Sequence, residues 1–532
     1  MIFTVNNIVM PFYEDEREFI PRELRKRGIK ASSYKVARVS ADARKAPEVK
    51  FVYTVICEAD EVNEKAPGYA GVFSYNNYPS DIPEKNASSN ILRPIVVGFG
   101  PCGMFCAYLL ALKGFRPIII ERGSCGEKRF EKTDNYFKGG ELDTETNVQF
   151  GEGGAGMFSD GKLMTRISDD RCSFVMETFV KFGAPEEIMY LARPHVGTDK
   201  LRGVVKAMRE KIISLGGEIM FDTSLMGISC LPDGTYSLKT SKGDMNSDGV
   251  FLAVGHSAHD TVRMLKNFGL NVTAKDFSVG MRIEHPRKDV EYSVYKKALE
   301  HKCAHKLPAA EYNVSYRKAD KGVYSFCMCP GGVVVPSESE RETIVTNGMS
   351  YHARDGVNSN CAIAVSVNSS DHGGDPERAL RLKCDIERNA YILGKGKAPC
   401  QTVGSYISGT KPKISFGKVA PTYERGVTPS DISKLFTSEQ NKLLKEGLSH
   451  FMKVYPFFKN LDACLTAPET RTSSPIRMNR TKELTALTYD GSELKGLYPC
   501  GEGAGYAGGI TSAAIDGLRA AEAYIYNKNP KI

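Results

Sequence analysis

The feature that most limits how this chain can fold is the loop Gly98-Phe99-Gly100-Pro101-Cys102-Gly103, set between two apolar stretches. A G-x-G-x-x-G pattern alone is weak evidence, because glycine is common. Its context makes it specific. Ile95, Val96 and Val97 read as a buried strand leading in, and residues 104–112 as a helix leading out. Gly98 permits the tight turn, Gly100 lets backbone approach a pyrophosphate, and Gly103 allows close packing of helix on strand. The helix start at Pro101 and Cys102 offers unpaired N–H groups and partial positive charge to phosphates. A second strand, residues 117–120, ends at Glu121, 18 residues after Gly103. A carboxylate there is placed to accept both hydroxyls of an adenosine ribose and to repel a 2′-phosphate. A dinucleotide other than NADP is therefore expected.

Residues 94–112 carry no charge over 19 positions, the length of a membrane-spanning helix. Pro94, Gly98, Gly100, Pro101 and Gly103 would break such a helix repeatedly, so strand, turn and helix is the reading, with no membrane partner. Gly151-Glu152-Gly153-Gly154-Ala155-Gly156 also matches G-x-G-x-x-G, but its approach is polar and no helix is expected after it. It reads as a Gly-rich loop lying against a flat ring system.

Composition adds bounds rather than identity. At 532 residues, with 41% hydrophobic and 25% charged residues, the chain has material for two to four soluble domains. The net charge of +8 is small for this length, which makes nucleic acid an unexpected partner. The strongest local bias is in residues 22–50, where ten basic residues face three acidic ones; a solvated face is the plainer reading and a docking surface the sharper one. Fourteen cysteines are scattered, and residues 1–13 show no secretory pattern, so reduced thiols in a cytoplasmic protein are expected. No Cys-x-x-Cys pair occurs, and Cys327-Met328-Cys329 has poor spacing for zinc, so no metal is expected.

Along the chain, residues 1–88 read as a small α/β unit: a strand at 2–10, a helix across 15–27 that Pro21 is expected to start, and strands at 34–39 and 51–57. Residues 78–90, rich in Pro, Ser and Asn, read as a linker. Alternating strands and helices follow over 89–276, then a mixed region over 277–477 taken as a cap, then a last segment, 478–532, with a helix near 510–526.

The loop and Glu121 suit either FAD or NAD. Three further segments resemble the two-domain FAD-dependent oxidoreductases. Residues 248–255 resemble the short strand ending in Ala-x-Gly beside the FAD pyrophosphate, here with Ala253 and Gly255. Leu225 stands where such proteins set backbone against adenine. Residues 496–510 resemble the late flavin motif, in which a strand ends in Gly and an acid; here these are Gly501 and Glu502, where the usual acid is Asp. The helix following Gly508, Gly509 and Ile510 would aim its N-terminus at flavin N1 and the C2 carbonyl. The segments 151–163, 327–332 and 469–477 are similar to those of uncharacterised bacterial FAD-dependent dehydrogenases, which carry a small domain before a single Rossmann loop.

That resemblance implies an α/β fold: a Rossmann-like FAD-binding domain with an inserted α+β cap and a small N-terminal α/β domain. It implies FAD as cofactor, with Arg122, Gly154 and Lys162 among the cofactor contacts. It implies a flavin-dependent oxidoreductase acting on a small molecule, the alternatives being a flavoprotein that acts on or binds RNA and a non-catalytic FAD-binding protein. Any NAD(P)H donor would bind without a G-x-G-x-x-G domain of its own. No dedicated catalytic residue stands out, since flavin carries the redox chemistry. Arg471, Arg477 and Lys162 are candidates for anion contacts. His256 reads as the start of a helix, the alternative being an approach to the cofactor. Cys327 and Cys329 read as packing residues, the alternative being a redox pair beside the flavin, with Cα atoms near the separation limit for a disulfide.

Overall fold

Five short apolar strands decide the architecture. In the computed structural model, which describes residues 1–74, 76–85, 92–412 and 419–529, they form one parallel sheet in the spatial order Leu497–Pro499, Val250–Leu252, Ile95–Val97, Ile118–Ile120, Glu218–Met220. Numbered along the chain this is 5-4-1-2-3, the Rossmann order, and the order reverses beside Ile95–Val97. Successive residues point to opposite faces. Val96, Ile119, Phe251 and Tyr498 pack under the helices Pro101–Leu112, Thr198–Ser214 and Ile510–Lys528, while Ile95, Val97, Ile120, Val250 and Leu252 face a three-stranded antiparallel sheet and the helix His259–Phe268.

A seven-stranded sheet is inserted between Val272–Ala274 and Ile476–Met478, two strands that pair with each other and so close the insertion at its base. Its order is Ser315–Lys318, Lys321–Cys329, Asn358–Val367, Phe277–Pro286, Cys464–Glu469, Ala398–Thr402, Val427–Pro429. The helices Arg287–Tyr295, Pro376–Gly394 and Ser438–Val454 cover it. At the N-terminus a four-stranded antiparallel sheet, Ser33–Asp42, Lys50–Glu58, Ile2–Pro11, Tyr69–Val72, packs its alternate apolar residues on the helix Glu16–Lys26.

Pro21 does not start that helix. Asp15 caps it by accepting from the Arg17 N–H, and Pro21 sits in the second turn. The acidic first turn, Glu16 and Glu18, and the burial of Ile20 and Leu24 outweigh the hydrogen bond that proline removes. The linker expected at 78–90 falls in part, from residue 86, outside the described residues. Among the described residues no helix is long and apolar enough to cross a membrane.

Candidate functional site

At the carboxyl ends of Ile95–Val97 and Val250–Leu252, where the sheet order reverses, a cleft of about 470 Å³ opens and runs to the seven-stranded sheet. Gly98, Gly100, Pro101, Cys102, Glu121 and Arg122 line one end. Gly154, Lys162, Leu225, Ala253 and Gly255 line its length, and Glu502, Gly508, Gly509 and Ile510 line the side that meets the last helix. Two expected residues stand behind the wall. Gly103 packs against the Gly98 carbonyl, and Gly501 donates its N–H to Asp516 at 2.7 Å.

Glu121 is buried, and the structure gives its carboxylate partners other than a ribose. It accepts from the backbone N–H groups of Phe99 (2.7 Å), Gly123 (3.0 Å) and Gly151 (2.9 Å). Three otherwise unpartnered loop donors converge on it, so its charge ties the two Gly-rich loops together. Arg122 is similarly occupied, pairing with Glu145 at 3.0 Å and Asp260 at 2.8 Å, with its guanidinium 4.3 Å from the centre of the Phe150 ring.

The far end of the cleft is built from buried ion pairs. Arg282 meets Glu469 through two contacts of 2.9 Å and also donates to the Cys327 carbonyl at 2.8 Å. Asp160 pairs with Arg354, which reaches Glu311 at 3.0 Å. The Lys162 ammonium donates to the Met328 carbonyl and stands 3.7 Å from Glu311. Burial pulls the Lys162 pKa down, but Glu311 and Asp160 outweigh it and hold the group above its ordinary value. Arg471 lines the cleft while paired with Glu387 at 3.0 Å. Arg477 is exposed over the Tyr506 ring, away from the cleft.

Glu502 and His256 face each other at 3.8 Å on the flank of the cleft. Burial pushes the Glu502 carboxyl up to about 7, with Lys383 and Lys275 pulling against it. Burial, helped by Lys383 and Arg471, holds His256 well below its ordinary value, so its imidazole is neutral at pH 7. His256 is therefore a cleft residue, and the helix starts only at His259. Outside the cleft His259, Glu340 and Cys384 lie close enough to share a cation, with ligand atoms within 4.8 Å. Burial, with Arg471 and Lys383 adding to it, lowers the His259 pKa, and the field of those two cations opposes a metal.

These residues fit a long dinucleotide. The helix Pro101–Leu112 starts with proline at its first position and has no acid in its first turn, leaving its positive end free for phosphate. An added Cβ at Gly255, Gly508 or Gly509 would meet nothing within 4 Å, so bare backbone borders open space along the cleft. The sequence reading missed Asp160, Arg282, Glu311 and Arg354 as parts of this site. A signal was present for Arg282: with Glu284 and His285 it interrupts an otherwise apolar strand, Phe277–Pro286, that is buried almost throughout.

Residues 276–472 match the family described as FAD-dependent protein, C-terminal domain-like. An uncharacterised protein of Clostridium beijerinckii is 41% identical over 541 residues, covering 98% of both chains. Among solved structures, CtdE in complex with FAD is 12% identical over 80% of this chain and 82% of its own, with a TM-score of 0.31. A flavoprotein/dehydrogenase from Cytophaga hutchinsonii is 11% identical over 83% and 80%, with a TM-score of 0.35. Those two likenesses carry no weight for membership, which stands on the match to the domain and on the C. beijerinckii relative. The chain belongs to this family of FAD-dependent proteins, and its cofactor is FAD.

Proposed function

We propose that the protein is an FAD-dependent oxidoreductase that passes hydride between flavin N5 and a carbon of a small substrate. The observation that carries this reading is the continuity of the cleft: one space is lined by the dinucleotide loop at one end and by the strand Lys321–Cys329 of the inserted sheet at the other. Bound FAD supplies the hydride chemistry. The loop from Gly98 to Gly103 and the start of Pro101–Leu112 hold the pyrophosphate, and the N-terminus of Ile510–Lys528 favours negative charge beside Gly508 and Gly509. Lys162 and Arg471, each paired with a carboxylate, are the cations of the remaining wall and the proposed contacts for an acidic substrate. Glu502, with a pKa near neutrality, and neutral His256 can hold or release a proton on the flank. NADH or NADPH is the proposed donor for the second half-reaction.

The reading of a flavoprotein acting on RNA gains no support from the basic segment. Three of its ten basic residues already hold carboxylates: Arg22 and Arg27, in the helix Glu16–Lys26 and at its end, pair with Glu14 and Glu23, and Arg44, just past the strand Ser33–Asp42, pairs with Asp42. The test is anaerobic stopped-flow mixing of the holoprotein with NADH, NADPH and small acidic donors while following the flavin band. Bleaching by one of them is expected. No bleaching by any would leave a flavoprotein without this activity and sink the proposal.

A further inference from the structure

Two thiols at the far end of the cleft, Cys327 in its wall and Cys329 behind it, are not used by that reading. The strand Lys321–Cys329 is regular as far as Phe326, which pairs with Ala362; the next paired residue is Cys329, opposite Asn360. Three steps on one strand therefore face two on the other, and the extra residue makes a bulge. Within it Cys327 adopts φ +46°, a left-handed conformation that costs a β-carbon residue on the order of 1–3 kcal/mol and persists only where its surroundings impose it. Two cations, buried Arg282 and half-buried Lys162, hold the carbonyls of the bulge. Arg282 donates to the Cys327 carbonyl at 2.8 Å, and Lys162 donates to the Met328 carbonyl.

The curl changes what the sequence spacing allows. On a flat strand these cysteines would share a face near the limit for bonding. In the bulge the Cys329 thiol folds back and donates to the Cys327 carbonyl at 3.4 Å. Cys327 lines the cleft, whereas Cys329 is wholly buried behind it. The division is that of an attacking thiol and a resolving thiol. Charge agrees: the neighbouring Cys329 thiol, then Arg282 and Lys162, bring the Cys327 thiol down to about 5, while the Cys327 neighbour and burial hold Cys329 well above its ordinary value. Two other cysteine pairs are neighbours, Cys102 with Cys500 and Cys464 with Cys400, but there the neighbouring thiol and burial raise the pKa, and no cation lowers it.

We propose that Cys327 and Cys329 form a dithiol–disulfide couple that exchanges an electron pair with the bound flavin. In the oxidising direction the Cys327 thiolate and the Cys329 thiol join through one S–S bond and release one proton and two electrons. Oxidised flavin takes up both electrons and one proton, giving the reduced anion, so the exchange balances without another reactant. The inference rests on the cofactor and on this bulge, not on the small substrate proposed above.

The experiment is an anaerobic dithionite titration of the air-oxidised holoprotein, paired with alkylation of free thiols and peptide mass spectrometry. The wild type should consume two electron pairs per flavin, and Cys327→Ser and Cys329→Ser should each consume one. The peptide spanning both cysteines should lack two hydrogens before titration and carry two alkyl groups after it. Consumption of one pair by the wild type, with both cysteines alkylated from the start, would overturn the couple. So would a second pair that maps to Cys102–Cys500 or Cys400–Cys464. Flavin content of the serine variants, read from the absorption band, separates a lost couple from a lost fold. The outcome is independent of whether any pyridine nucleotide bleaches the flavin.

Discussion

A few atoms decide whether a residue of this site serves the fold or the ligand, and the glycines make the distinction measurable. A Cβ at Gly103 would sit 1.9 Å from the Gly98 carbonyl oxygen, a backbone atom that cannot yield. Gly103→Ala should therefore unfold the loop, losing FAD and several kcal/mol of stability together. A Cβ at Gly508 meets nothing within 4 Å, so Gly508→Ala should leave the apoprotein melting temperature within about 2 °C while weakening FAD at least roughly tenfold. Melting curves of the apoprotein and fluorescence titration with FAD read the two effects; equal loss of FAD and stability in both variants would remove the distinction. Glu502 adds a pH signature. Its folded pKa, about 7, lies above the ordinary value of 4.5, so folding favours the protonated form. The stability it confers is whole below pH 4.5 and is lost as pH rises through 7. Glu502→Gln should flatten that decline in apoprotein melts between pH 4.5 and 7.5, and parallel curves for variant and wild type would count against a raised carboxyl.

At the scale of elements, what the sequence could reveal depended on how far apart the interacting residues lie. The strand, loop and helix from Ile95 to Leu112 are contiguous, so their periodicity and glycines carry the whole motif. The late return at Gly501 to Ile510 is local in the same way. The far wall of the cleft is not local. Arg282 joins Glu469, 187 residues away, and reaches Cys327 on a third strand, so no window of sequence contains the cluster. Glu121 shows the same limit: its position was legible, but its partner Gly151 comes from a loop 30 residues on. Pro21, by contrast, was misjudged on local grounds, because the cap at Asp15 and the burial of Ile20 and Leu24 decide that helix. The Arg282–Glu469 pair yields a prediction at this scale. Arg282→Met leaves a buried carboxylate without its partner and should cost about 3–5 kcal/mol. Arg282→Met combined with Glu469→Leu should recover much of that loss in urea denaturation, because the uncompensated charge is gone. A double variant no more stable than the single one would show that the guanidinium matters chiefly through its bond to the Cys327 bulge.

The whole molecule adds an approach route to the cleft that its parts do not suggest. Val39 of the N-terminal sheet donates to Tyr190 at 2.7 Å and accepts from Ala192 at 2.9 Å, stitching that unit onto the FAD-binding body. Phe12 stacks edge-on against His301, and Lys306 donates to the Glu14 carbonyl, fastening it to the inserted unit as well. Between the three lies a groove of about 2390 Å³, and Met164, Arg193 and Glu311 line both this groove and the cleft at the end of the parallel sheet. A donor reaching the flavin from this side passes under the strand Ser33–Asp42, where Ala41 is exposed in the groove wall. Ala41→Trp places a large ring there without touching the core, so folding and FAD content should stay as in the wild type. Flavin reduction by the donor that works in stopped flow should slow at least about tenfold, since a blocked route lowers the second-order rate. Photoreduction, which needs no donor in the groove, should keep its rate. If the donor reacts equally fast with Ala41→Trp, the route lies elsewhere and the N-terminal unit has no part in access.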